Sequence, residues 1–191
     1  MNVNLTPDWW HINQSVRAIR RGGVIAYPTE AVWGLGCDPF NEDAVSHLLA
    51  IKRRPMHKGL VLVAADLQQI DFLLQDLSDD EYTKVTANWP GPYTWILPDK
   101  RGLIPHWIKG KHDAVAVRVS AHKQVKRLTE AYGSFIVSTS ANPAAHDPAK
   151  DSLRVKTYFG EKLDYLLPGE LGDLAQPTQI RDLKSDRLVR A

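Results

Sequence analysis

Ile51-Lys52-Arg53-Arg54-Pro55-Met56-His57-Lys58-Gly59, running straight into Leu60-Val61-Leu62-Val63, reads as the join between a helix and a buried strand. The helix begins at Asn41, a good N-cap, with Glu42 and Asp43 in the first turn where the helix dipole favours acids. Val45, Leu48 and Leu49 then form an apolar stripe at helical spacing. Lys52 falls three residues after Leu49 and four after Leu48, so it continues the buried stripe. Pro55 disfavours helix at Arg54 and predicts the end there. Lys52 is therefore expected to point inward, with Arg54, His57 and Lys58 on a short turn beside it.

A cationic helix end facing dipole and solvent accounts for Arg53. It does not account for a lysine on the core-facing stripe, because a buried ammonium needs a partner or a bound anion. The sequence offers no carboxylate between Asp43 and Asp66. The stretch reads as an anion site.

The 191 residues, 43% hydrophobic and 24% charged, suit one globular domain over residues 1–191 with a sizeable core. No apolar run approaches the ~20 residues of a membrane-crossing helix. The start, Met-Asn-Val-Asn-Leu-Thr-Pro-Asp-Trp-Trp, has no basic region followed by an apolar one, so a cytoplasmic protein is expected. Cys37 is the only cysteine, which excludes an internal disulfide and any cysteine-rich metal site. Net charge is only +2, but unevenly spread. Residues 66–81 hold six acids and no base, while residues 100–127 hold eight bases against Asp113 alone. The basic run is either a footprint for phosphate or nucleic acid, or a solvated face.

Along the chain, Ile12, Val16 and Ile19 give one helix face, closed by Arg20-Arg21-Gly22-Gly23. Val24-Ile25-Ala26-Tyr27 is a short strand, and Gly34 and Gly36 then allow a close backbone approach. Pro39 rules out a dinucleotide fingerprint there, and no Walker A pattern exists. Two acidic helical stretches are expected over 67–74 and 79–87, and strands over 93–97 and 114–119. A helix over 122–132 and a strand over 135–137 follow, then a helix over 151–159 and short strands at Tyr165, Gln179 and Leu188. Alternating helices and short strands predict an α/β or α+β sheet.

Three groups could carry chemistry. Ser138-Thr139-Ser140-Ala141-Asn142 sits just past a strand, where ligands bind in α/β sheets, yet taken alone it reads as a turn before Pro143. Arg118, inside Ala114-Val115-Ala116-Val117-Arg118-Val119, suits a carboxylate or phosphate, or else an internal ion pair with Glu30. The seven histidines are scattered without metal-ligand spacing, Gly-x-Ser-x-Gly is absent, and Cys37 reads as a small core residue.

Taken together and in order, these segments resemble one family. They are Tyr27-Pro28-Thr29-Glu30-Ala31-Val32-Trp33-Gly34-Leu35-Gly36, Lys52-Arg53-Arg54-Pro55 with Lys58-Gly59-Leu60, Arg118, Ser138 to Asn142, and Pro177-Thr178-Gln179-Ile180-Arg181-Asp182. The resemblance, over nearly the whole chain, is to the YrdC/TsaC family, whose signature is the Lys-x-Arg and Ser-x-Asn pair. It implies a twisted mixed sheet with flanking helices and a concave basic face. It implies threonylcarbamoyl-AMP synthase activity, joining L-threonine, bicarbonate and ATP (with Mg²⁺) for modification of adenosine beside the tRNA anticodon. It would put Lys52, Arg54, Lys58, Ser138, Ser140, Asn142 and Arg190 around ATP, with Lys52 and Arg54 catalytic. Thr29, Arg118 and Thr178 would surround threonine. Longer members carry a second threonine after Glu30, a tyrosine before the glycines, a proline at the Gly59 position and a further C-terminal domain. Ala31, Trp33 and Gly59 make this chain similar to the short bacterial form. Partners implied are tRNA and other proteins of tRNA threonylcarbamoylation, with no membrane. The competing expectation is a non-enzymatic binder of structured RNA acting through residues 100–127.

Overall fold

A computed structural model describes residues 7–190, and nine strands among them form one mixed sheet in the order β7-β1-β2-β6-β3-β5-β4-β8-β9. In chain order the strands are β1 (Ile25–Pro28), β2 (Trp33–Gly36), β3 (Val61–Ala64), β4 (Tyr93–Pro98), β5 (Ala114–Val119), β6 (Ile136–Ser140), β7 (Tyr165–Leu166), β8 (Gln179–Asp182) and β9 (Leu188–Arg190). The helices are α1 (Pro7–Arg20), α2 (Glu42–Lys52), α3 (Asp71–Leu74), α4 (Asp79–Thr86), α5 (His106–Lys109), α6 (Lys123–Tyr132) and α7 (Ser152–Phe159).

Period-two alternation sorts the strand residues onto two faces. Leu35, Leu62, Ala64, Val117 and Val137 join the larger core with Val45, Leu48 and Leu49 of α2 and Val155 and Phe159 of α7. Ile25, Tyr27, Val63 and Ile136 face a smaller core made by Ile12, Val16 and Ile19 of α1 and Val125 and Leu128 of α6. Register sets Arg118 beside Val63, and Ser138 and Ala116 beside Val61. Helices α1 and α6 thus cover one end of this second face. Its other end, past Val63, stays open and carries the polar residues.

Asn41 caps α2 as the sequence predicts, its side chain accepting from the Ala44 N–H at 3.0 Å. The end of α2 differs. Arg53, not Pro55, terminates it, in the left-handed conformation with φ of 52°. Its N–H bonds to Ala50 O and that of Arg54 to Leu49 O, a Schellman closure that uses carbonyls a helix would otherwise leave unpaired. Strand β2 was not expected, and β6 runs on through Ser138 to Ser140 where a turn was expected. The acidic stretch over 67–74 is a 3₁₀ turn, Gln68–Ile70, followed by the short α3. No helix among the described residues is long and apolar enough to cross a membrane.

Candidate active site

The open face of the sheet forms a cavity of about 270 Å³ bordered by Thr29, Arg54, Thr94, Arg118, Ser138, Ser140 and Thr178. A second cavity of about 590 Å³ adjoins it and shares Arg54, Leu60, Val61 and Ile180. Lys58, Lys109, Lys111, Lys184 and Arg187 border this second space, against Asp113 and Asp182. The site residues come from six separate segments, brought together by a strand order that does not follow the chain.

Lys52 is only 4% exposed, as its place on the stripe predicts. Its partners within the chain are carbonyls and not carboxylates. The amine donates to the backbone carbonyls of Ser140 and of Asn142, the latter at 2.8 Å. The Lys52 carbonyl in turn accepts the Ala144 N–H at 2.8 Å. Burial, reinforced by the neighbouring Arg54 charge, lowers its pKa to about 7. Lys52 does not border either cavity. Carbonyls some ninety residues away take two of the three N–H bonds that an ammonium has to give.

Arg54 does reach both cavities. Its Nη2 and Nε donate to Gly59 O at 2.8 and 3.3 Å, which folds the guanidinium over the turn it precedes. Burial depresses its pKa. Lys58 is exposed on the rim of the second cavity. Ser138 and Ser140 line the first. Asn142 does not line it. Its Oδ1 accepts from Ser140 Oγ at 2.6 Å, and its Nδ2 donates to Pro143 O and His146 O. Its amide builds the loop instead of facing the open space. Strand β9 contains Arg190, whose side chain lies outside the described part of the structure.

Of the Arg118 alternatives, the structure contains the internal ion pair. Its Nη2 stands 3.4 Å from Glu30 Oε2, while Nη1 donates to Thr178 Oγ1 at 2.8 Å. Glu30 Oε1 accepts from Ser120 Oγ at 2.6 Å. Arg118 Nε and Glu30 Oε2 remain buried without a hydrogen bond among the described residues, so the ion pair is under-satisfied. Thr29 and Thr178 stand on the same cavity wall. Thr29 donates its hydroxyl to Val32 O at 2.6 Å, which leaves its oxygen as an acceptor for a ligand N–H. Thr94 was missed. It is 1% exposed with its hydroxyl 3.4 Å from that of Thr178, and only its polar character on the inward alternation of β4 hinted at a role.

Four of the eight bases in residues 100–127 are paired with carboxylates. Arg101 pairs with Asp76, Lys109 with Asp99, Arg118 with Glu30 and Arg127 with Asp8. Lys109, Lys111 and Arg118 of that run border the cavities, together with Arg54, Lys58, Lys184 and Arg187 from outside it.

An open sheet face bordered by Arg118, several hydroxyls and a group of cations makes this an α/β domain with a candidate site for small anionic ligands. Residues 17–191 match the Sua5/YciO/YrdC family, described as telomere recombination, and the chain belongs to this family. A threonylcarbamoyl-AMP synthase of Stutzerimonas stutzeri is 52% identical over 181 residues, covering 95% of this chain and 97% of that protein. Among solved structures, Pyrococcus abyssi Sua5 complexed with L-threonine superposes with a TM-score of 0.84 at 28% identity, over 92% of this chain. The match spans only 51% of that Sua5 chain, about half its length. Escherichia coli YciO superposes with a TM-score of 0.82 at 29% identity, over 97% of this chain and 90% of its own.

Proposed function

We propose that the protein is a threonylcarbamoyl-AMP synthase, making threonylcarbamoyl-adenylate and pyrophosphate from L-threonine, bicarbonate and ATP for tRNA modification. The observation that carries this is the 52% identity, over 95% of the chain, with a relative of that name. The likeness to a Sua5 structure holding L-threonine supports the amino acid.

The geometry supports a division of the site. Arg118, on the floor beside Thr178, suits the amino acid carboxylate, and Thr29 can accept from its amine. Arg54 and Lys58, at the passage into the second cavity, suit the triphosphate. Ser138 and Ser140 can donate to the phosphate and nucleoside end. Lys52 and Asn142 act through the backbone by shaping the loop that presents Ser140.

Bicarbonate takes up a proton and loses water to give carbon dioxide. The neutral threonine amine adds to its carbon, forming the N–C bond as one C=O π bond breaks and releasing a proton to solvent, which leaves a carbamate. A carbamate oxygen then attacks the α-phosphorus. The new O–P bond forms as the bond to the bridging oxygen breaks, and pyrophosphate leaves with that electron pair. Two anions must meet, so positioned cations contribute more than any nucleophile, and no covalent enzyme intermediate is required. Among the described residues no three His, Cys, Asp or Glu side chains group as a metal site. Mg²⁺ therefore fits as an ion carried by the triphosphate, which supplies its own oxygens.

The test is pyrophosphate release by the purified protein with ATP, Mg²⁺, bicarbonate and L-threonine, without RNA. A threonine-dependent adenylate is expected, and omitting bicarbonate suppresses it. Equal adenylate without bicarbonate would make this an ordinary amino-acid-activating enzyme. Product only after RNA is added would favour the RNA-binding reading.

A further inference from the structure

The turn that carries Lys58 has few contacts of its own. Met56, His57 and Lys58 are all exposed, and no residue of this 3₁₀ turn is buried. It is held from one side by α5 and the residue after it. Leu60 N–H donates to Ile108 O at 2.8 Å, and Lys111 N–H to His57 O at 3.4 Å. Gly59 and Gly110 interlock at this contact, with φ of 64° and 66°. A Cβ on Gly110 would sit 2.6 Å from His57 O and 2.7 Å from Met56 O. One on Gly59 would sit 3.0 Å from Lys109 O. Two backbones meet here without room for a methyl group.

Helix α5 is itself only four residues long, too short to hold its place by helical hydrogen bonding. A buried ion pair secures it. Lys109 Nζ lies 2.7 Å from Asp99 Oδ2, with side chains 14% and 1% exposed. Asp99 also accepts the N–H groups of Leu103 and Ile104 at 2.9 and 3.0 Å. Burial alone would raise the Asp99 carboxyl, but the Lys109 and backbone hydrogen bonds prevail and hold it below its usual range. Lys109 borders the second cavity, yet its ammonium is engaged with Asp99.

We propose that Asp99, Lys109 and Gly110 are positioning residues for the nucleotide phosphates, forming a pedestal that fixes the Arg54–Lys58 turn against the cavity. They act through the turn and not by touching the nucleotide. The inference rests on the assignment of Arg54 and Lys58 to the triphosphate. A displacement of about 1 Å at such a contact lowers rate by as much as ~10²-fold. ATP, not threonine, should register the change, because Arg118 and Thr178 lie on other strands.

The experiment compares wild type with Asp99→Asn and Lys109→Met, the second leaving the Asp99 backbone contacts in place should the first fail to fold. Two readouts are taken: steady-state pyrophosphate release against ATP and against threonine, and amide hydrogen exchange of residues 56–60 without substrates. Exchange of the Leu60 amide should accelerate in both variants, and kcat/KM for ATP should fall about ten- to a hundredfold. KM for threonine should stay within about twofold, and Lys109→Arg should recover most of the loss by restoring the pair. Unchanged exchange at residues 56–60 would overturn the pedestal, as would a loss shared equally between ATP and threonine. If wild type released no pyrophosphate, the functional reading would fail by itself, while the exchange data would still decide whether the pedestal exists.

Discussion

At the scale of one side chain, Lys52 is a lysine whose two carbonyl partners can be served by a neutral amine, which has two N–H bonds to give. In the unfolded chain the same amine holds its proton up to its ordinary pKa of 10.5, against about 7 when buried. Above pH 7 the unfolded state therefore binds more protons at this site, and stability rises with pH. The window closes near pH 9, where Cys37, pushed upward by burial, acts with the opposite sign. Urea midpoints should climb from pH 7 to about 9 in wild type, and the climb should be shallower in Lys52→Met. Parallel profiles would mean that the amine stays charged in the fold. Arg118 supports a second expectation. Its fork serves Thr178 and Glu30 at once, which one ammonium cannot reproduce. Arg118→Lys should raise KM for threonine by about tenfold or more with little change in KM for ATP. Equal effects on both substrates would remove Arg118 from the carboxylate role.

At the scale of the element, the helices were legible because their ends are chemical. Asn41, Ser78 and Asp151 each accept a backbone N–H at a helix start. Asn41→Ala should lower stability by about 1 kcal/mol in denaturant unfolding. The end of α2 was misread because Pro55 is a visible stop, while the left-handed Arg53 that closes the helix has no glycine to mark it. Strand β2 was hidden by its glycines, which read as loop. They are there because β1 and β6 come too close for side chains. A Cβ on Gly36 would lie 2.6 Å from Val137 O and 2.8 Å from Tyr27 Cε1. Gly36→Ala should thus destabilise by about 1–3 kcal/mol through overpacking, measured as a lower urea midpoint. An unchanged midpoint would mean that the strands can part without loss.

At the scale of the whole molecule, the sequence motifs named candidate site residues but not which of them border the cavities. Lys52 bonds to backbone carbonyls far off in sequence, while the Asn142 amide bonds within its own loop. Charge shows the same effect. Residues 100–127 look like a single basic surface when read in line, but folding pairs Arg101 with Asp76 and Lys109 with Asp99. Lys111 and Lys184, more than seventy residues apart in sequence, instead border one cavity. If tRNA meets this protein through its phosphates, affinity should depend on Lys111 and Lys184 beside the cavity and not on Lys100 and Arg101 at the start of the run. Filter binding of tRNA between about 50 and 200 mM salt would separate the two, since each lost phosphate contact removes roughly one unit of log–log salt slope. Lys111→Glu with Lys184→Glu should weaken binding and flatten that slope by one to two units, to about that extent. Lys100→Glu with Arg101→Glu should leave the slope near wild type, because Arg101 already faces a carboxylate and Lys100 already donates to Asp76 O at 2.6 Å. Both double variants keep Arg54, Lys58 and Arg118, so adenylate synthesis from free threonine should persist in each. A slope lost only with the 100–101 variant would return the RNA contact to the run. Equal affinity in all three proteins would leave the cations beside the cavity with the small-molecule phosphates alone.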